Sequence, residues 1–413
     1  MSTVFKFYTS PSYLGPDTLY TGEVLSFNGK NGRQSFIDQY AGGVFSLTIN
    51  NNNNESALFV RGLTVLITYE NQATLFGGRV IAIEYEDSPG TDQGLSTATI
   101  FCAGALAQCG KFNLQDYEFV FTSVSDQFQE PQSDYDPTVI PQCFSYGSSS
   151  EASTGFYTGS WLNKMNLLVN TEKGQLWDDS SFTYFFLGRQ YVGLPNGYTF
   201  SRTAGSITDI PYSQFNRYEL GDQFMNQVTV KPSTVASQYN ENNVSVTAYG
   251  PAAYSVSTVD NTTVQAAGLA SWLATMQGSP TDFRYELTVL DTTATGIVPS
   301  TSPPQTVLQD LIQTLKNGES LSVVEWLKPG DTVETSVNVV CEGFAVNAVP
   351  GQTQYTFYFS SADFYQYFRL NDSIYGVLGG EPIVYNQAEI TYDEAGWVYN
   401  DSNADDTASR LGW

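Results

Sequence analysis

The residues best equipped for chemistry in this chain are carboxylates and thiols. Glu172 and the pair Asp178-Asp179 flank Trp177, and Asp401, Asp405 and Asp406 gather near the C-terminus. Acid–base work by two carboxylates needs a cleft that drives their pKa values apart. Asp178-Asp179-Ser180-Ser181 instead reads as a turn between strands, because Asp side chains bond to nearby backbone amides. The C-terminal aspartates could bind calcium, but they lack the fixed spacing of a calcium loop. Cys102, Cys109, Cys143 and Cys341 fit no zinc pattern, and there is no histidine. Free buried thiols are expected. Without histidine, serine and cysteine lose their commonest activator, and there is no phosphate loop or dinucleotide fingerprint. We therefore expect no enzyme activity and no catalytic, cofactor or metal residues. The aromatic stretch 382–399 could stack on sugars, but interface burial suits it better.

Charge bears on partners. The 413 residues include 17 basic and 42 acidic ones, a net charge of −25. Such a surface gains little from displacing counterions around phosphates, which disfavours general nucleic-acid binding. The chain is 41% hydrophobic and 14% aromatic, enough for a sizeable core, and its length argues for several domains. The N-terminus lacks the apolar run of a signal peptide and no stretch approaches transmembrane length, so no membrane insertion is expected.

These residues sit in a mainly β chain with a few helices. From Val44 to Phe101, apolar residues alternate with polar ones, and glycine, asparagine and polar turns punctuate them. That pattern predicts antiparallel strands with one buried face, a small barrel or sandwich over 1–112. An insert domain, 113–206, opens with an acidic, aromatic segment. It continues with a helix carrying Trp161, Leu162, Met165, Leu168 and Val169, then two strands joined at Asp178–Ser181. A second strand-rich unit spans 207–370, with strands expected at 225–230 and 243–250 and helices at 262–277 and 304–317. Further strands are expected at 283–290, 321–325, 331–343 and 354–360. The last segment, 371–413, is too short to hold its own core and is expected to dock on a neighbour.

Several local motifs follow one another in a telling order. Gly32-Arg33 is followed by Ala41-Gly42, a Thr48-Ile49-Asn50 strand end and the Leu75-Phe76-Gly77-Gly78 hairpin. Gly174, Leu176, Asp178-Asp179, Phe186 and Gly188-Arg189 form the next group. Asn226, Val228, Val230, Tyr249-Gly250, Gly330-Asp331 and Gly343-Phe344 follow, and Arg410-Leu411-Gly412-Trp413 closes the chain. In this order the sequence resembles minor tail proteins of long-tailed bacteriophages, the baseplate or tail-tip hub group. The Asn tract at 50–54, the expanded segment 113–155 and the insertion 381–408 depart from that pattern.

The resemblance implies two small tube-like β-barrel domains separated by a helix-hairpin insert. It implies a structural protein of the virion tail tip, a trimer whose barrels continue the tail tube. Its partners would be the tail tube or distal tail protein, a central fibre or spike, and the tape measure protein. Genomic DNA would pass through without specific binding. The alternative is a receptor-binding tail adhesin with an aromatic carbohydrate site. If a channel exists, the charge balance predicts an acidic wall, with Glu84, Glu86 and Asp87 on a different surface from Lys30 and Arg33.

Overall fold

In this computed structural model the described residues run from 5 to 365, except 11–17, 70–73, 89–94, 136–140, 148–149, 179–182, 193–194, 202–208, 222–223, 280–282, 291–296, 299–304, 316–319 and 327–333. Beyond 365 only short strands are described, among them Phe368–Arg369 paired with Arg410–Leu411. The expected docking segment 371–413, with Asp401, Asp405 and Asp406, therefore falls almost wholly outside the described residues.

The first unit follows from its alternation. Its strands are β1 (Phe5–Ser10), β2 (Thr18–Leu19), β3 (Val24–Gly32), β4 (Val44–Asn50), β5 (Thr64–Tyr69), β6 (Thr74–Ser88) and β7 (Leu95–Ala103). Phe27, Phe45, Leu47, Ile49, Val65, Ile67, Ala98, Ile100 and Cys102 are buried, every second residue along their strands. The spatial order is β2-β1-β5-β6-β7-β4-β3. Its two end strands, β2 and β3, are consecutive in sequence, so the sheet must curl to let one stretch serve both ends. Tyr20, between them, donates its amide to the Phe7 carbonyl at 2.7 Å. Phe27 and Phe45 fill the curl against Phe76, with ring centroids 5.6 and 5.8 Å from it.

The chain then builds a second core. It comprises α1 (Ala105–Lys111), β8 (Asn113–Phe119), α2 (Val124–Asp134), β9 (Cys143–Tyr146), β10 (Gly155–Ser160), α3 (Trp161–Glu172), β11 (Gln175–Asp178) and β12 (Tyr184–Leu187). Ala105, Leu106 and Cys109 already belong to this core, so it starts ahead of position 113. α3 presents Trp161, Met165, Leu168 and Val169 inward, as its spacing predicts. Ser160 caps it by accepting from the Asn163 amide, and it stops at Lys173, whose φ of 56° is left-handed. α2 is absent from the elements that the sequence predicts. Pro131 lies inside it and masks the helical pattern, although Ser123 caps it through the Asp126 amide.

The second strand-rich unit contains β13 (Pro195–Ser201), β14 (Asp209–Pro211), β15 (Gln214–Glu219), β16 (Gln227–Pro232), β17 (Gln238–Glu241), α4 (Asn243–Tyr249), β18 (Ala253–Thr258), α5 (Thr263–Met276), β19 (Phe283–Leu290), β20 (Ile297–Val298), β21 (Gln305–Thr306), α6 (Val307–Leu315), β22 (Ser320–Trp326), β23 (Glu334–Val349) and β24 (Gln352–Ser361). Residues 243–250, expected as a strand, form α4 instead. The Asn242 side chain accepts from the Ser245 amide and starts a helix, which Gly250 ends at a φ of 84°. The strand partners of β16 are β17 and β18.

The main sheet of this unit runs β14-β13-β22-β23-β24-β19-β15. Again the end strands are consecutive in sequence. The Tyr212 amide reaches Ser201 at one end, and the Ser213 amide reaches Thr288 at the other, at 3.2 and 2.8 Å. Replacing β1 to β7 by β13, β14, β15, β19, β22, β23 and β24 reproduces the strand order of the first unit. Even a bulge recurs, between Val80 and Ala82 in β6 and between Cys341 and Gly343 in β23. One strand differs in direction. β13 is parallel to β14 and β22, whereas β1 is antiparallel to β2 and β5. The two curls fuse where β3 pairs with β23, from Phe27 opposite Ala348 to Gly32 opposite Gly343, giving one 14-stranded sheet. The fold is thus mainly β, as expected.

Candidate assembly surface

Three places in this fold could carry function: the carboxylates near Trp177, the joint between the curled units, and the outer face of the fused sheet.

The first is structural. Asp178 is buried and its carboxylate accepts from the amides of Gly43 and Leu106, the latter at 2.6 Å. Asn31 bonds its backbone carbonyl at 2.8 Å. Asp178 thereby ties β11 to β3, β4 and the start of α1. The sequence predicts its preference for backbone amides, but the amides it finds lie far away along the chain. Glu172 is also buried, and accepts from the amides of Ser150 and Arg189 at 2.8 and 3.2 Å. Asp179 is outside the described residues. The structure therefore gives Glu172 and Asp178 separate backbone clamps. All four thiols are free and buried, and burial pushes their pKa values up. Among the described residues no cluster of His, Cys, Asp and Glu is arranged to hold a metal ion, and no helix is long and apolar enough to cross a membrane.

The second place is the joint. Arg33, just past β3, and Glu342, at the bulge of β23, form an ion pair at 2.8 Å, both fully enclosed. The bulge turns Glu342 inward beneath the β3–β23 seam. Tyr365 accepts from Arg33 at 3.0 Å and donates to Glu342 at 2.6 Å. The guanidinium also lies over the Tyr40 ring, 4.5 Å from its centroid. Burial is the largest influence on Arg33 and works against its charge, yet Glu342, Tyr40 and Tyr365 together outweigh it and hold the guanidinium well above its ordinary pKa. Arg33 is thus no surface cation, contrary to the expectation that grouped it with Lys30. Lys173, buried beside this pair, is pushed down to about 7, first by burial and then by the Arg33 charge.

The seam also needs glycine. Gly32 has a φ of 83°, and a Cβ there would come within 2.4 Å of the Glu342 carbonyl. A Cβ at Gly343 would meet the Arg33 carbonyl at the same distance. The sequence marks Gly32-Arg33 as a turn and Gly343-Phe344 as a strand. It carries no sign that the two touch.

The third place is the outer face. Where β4, β3, β23 and β24 lie side by side, their outward residues line a hollow of about 680 Å³ that includes Asn28, Lys30, Ser46, Asn347, Gln354 and Thr356. Strand alternation extends this face to Glu84, Glu86, Thr97 and Thr99 on β6 and β7. On the other side it reaches Asn216, Tyr218, Arg284 and Glu286 on β15 and β19. Glu84, Glu86 and Glu286 face Lys30 and Arg284 across a surface of amides and hydroxyls interspersed with Val44, Phe101 and Ala345. Acidic and basic residues share this face rather than occupying opposite ones.

No protein-family model matches the sequence, and no curated protein does. Solved structures do. A tail protein from Neisseria meningitidis MC58 superposes with a TM-score of 0.58 at 11% identity, covering 87% of this chain and 97% of that one. The 43 kDa tail protein of prophage MuSo2 from Shewanella oneidensis gives 0.56 at 10% identity, with 87% and 100% covered. The chain has the fold of these tail proteins over 87% of its length.

Proposed function

We propose that this chain is a structural protein of a phage tail, the hub at its distal end, and that it catalyses no reaction. The observation that carries the reading is the internal repeat. Two curled sheets of the same strand order, fused through β3 and β23, make each chain a double building block. Three chains then supply six such blocks, and a ring of them can continue a six-fold tube while offering three-fold symmetry below. The tail proteins of N. meningitidis and of prophage MuSo2 share the fold, which supports the tail setting.

In this reading the hollow outer face lines the passage. Its amides and hydroxyls hydrate well without holding phosphates, and its carboxylates slightly outweigh its cations, so DNA slides rather than sticks. The tube or distal tail protein sits above the ring, the fibre or spike below, and the tape measure protein within. Producing tails from a genome lacking this chain tests the proposal. Particles should lack a closed distal end, and supplying the chain should restore it. Complete, infectious tails formed in its absence would remove it.

A further inference from the structure

The internal repeat also specifies how one copy should meet the next. Beyond Val340, where β22 leaves it, the edge of β23 is taken by β3. The same point on β6 is Arg79, where β5 leaves. Beyond Val80, among the described residues, β6 pairs with β7 alone, so its other edge has no strand. Among the described residues β15, the counterpart of β3, likewise pairs only with β19. The repeat therefore uses one β23-type edge and one β3-type edge inside the chain, and leaves one of each unused.

We propose that the outer edge of β6, from Ala82 to Asp87, pairs antiparallel with the outer edge of β15 of a second copy, in the register that β23 and β3 adopt within the chain. This deepens the hub reading and rests on it. Carrying the register across places Tyr85 opposite Arg217, Glu84 opposite Tyr218, and Glu86 opposite Asn216. Their internal counterparts are Val346 opposite Gly29, Ala345 opposite Lys30, and Asn347 opposite Asn28.

Burial supports the match. Phe344 is fully buried, and its counterpart Ile83 is half-buried; Val346 is buried beneath the seam at 2% exposure, whereas its counterpart on β6, Tyr85, is 63% exposed. An open edge carrying such a residue invites pairing. Charge matches in part. The donor edge carries Glu84, Glu86 and Asp87, all exposed, and the receiving side has Arg217 and Arg284 beside Glu219 and Glu286. Arg284 already lies over Tyr218, 5.2 Å from the ring centroid, on the same face of the sheet as Glu84. The two surfaces differ, so the contact is head-to-tail, and its repetition closes a ring or runs on as a filament.

The test uses the full-length chain with Glu84→Cys and Tyr218→Cys together, the native thiols being buried. Mild oxidation of the assembled oligomer should link copies into a ladder that ends in a closed species. The off-register pair Glu84→Cys and Gln214→Cys should link at least tenfold less. On the unaltered chain, assembly should slow hydrogen exchange of the amides in 82–87 and 214–219 by at least tenfold, which covers variants that fail to assemble. An oligomer that forms without the link and without that protection would overturn the edge pairing and leave the hub reading standing. A chain that stays monomeric at every concentration, and is absent from isolated tails, would overturn both.

Discussion

Arg33 and Glu342, separated by 309 positions in sequence, meet in a fully buried ion pair at the seam where the two curled sheets become one. Removing one partner leaves the other charged and enclosed. Glu342→Gln should therefore cost about 3–5 kcal/mol of unfolding free energy. The double change Arg33→Met with Glu342→Leu should cost clearly less than the two single changes summed. Denaturant unfolding of the unaltered chain, Glu342→Gln, Arg33→Met, Glu342→Leu and the double variant measures both quantities. Additive losses would mean that the pair does not couple the units.

Gly32 offers a second probe of the same seam. At Gly62 and Gly351 the φ values are 91° and 85°, and the space a Cβ would take is open, so alanine there adds only backbone strain of about 1–2 kcal/mol. Gly32→Ala adds the clash with Glu342 and should lose at least about 1 kcal/mol more, since overpacking typically costs about 1–3 kcal/mol. Equal losses at Gly32 and Gly62 would show that the seam can open without penalty.

Lys173 predicts a pH dependence. In the unfolded chain it stays protonated up to its ordinary 10.5, but in the folded protein only below about 7. Between those values the unfolded state binds more protons, so stability rises with pH and is lost as pH falls toward 7. Lys173→Met should flatten the climb between about pH 7 and 9 and raise stability at pH 7. Lys164, pushed down to about 8 chiefly by burial, leaves a residual slope. Thermal unfolding at a series of pH values measures it, and an unchanged slope in the variant would contradict the assignment.

The proposed channel wall makes a prediction about salt. Glu286→Lys, on the same face but away from the free edges, would tip its balance from acidic to basic. Each new phosphate contact adds about 0.9 to the salt slope of DNA affinity. Tails carrying the variant should release DNA more slowly than unaltered tails, with the gap widest at low salt. Equal release rates at all salt concentrations would place this face away from the DNA path.

Much of the architecture is legible in the sequence because it is local. Alternation places the strands of both curls, and the face Trp161-Met165-Leu168-Val169 places α3. The exceptions are also local conflicts. Residues 243–249 alternate like a strand, yet the Asn242 cap makes them a helix. Pro131 conceals α2. The joint is illegible for a different reason. Arg33 reads as a surface turn residue until Glu342 is brought beneath it, and Asp178 reads as a turn carboxylate until the Gly43 and Leu106 amides arrive. Strand order within each unit is likewise set by pairing across long sequence distances, so the repeat emerges only when the two sheets are laid side by side.

The most direct test is a reconstruction of the intact tail tip with this chain located in its density. Three copies are expected in a ring at the distal end, six curled sheets around an open passage, and the hollow face with Asn28, Lys30, Asn347 and Gln354 turned toward it. A chain found on peripheral fibres, or in a ring with that face turned outward, would contradict it.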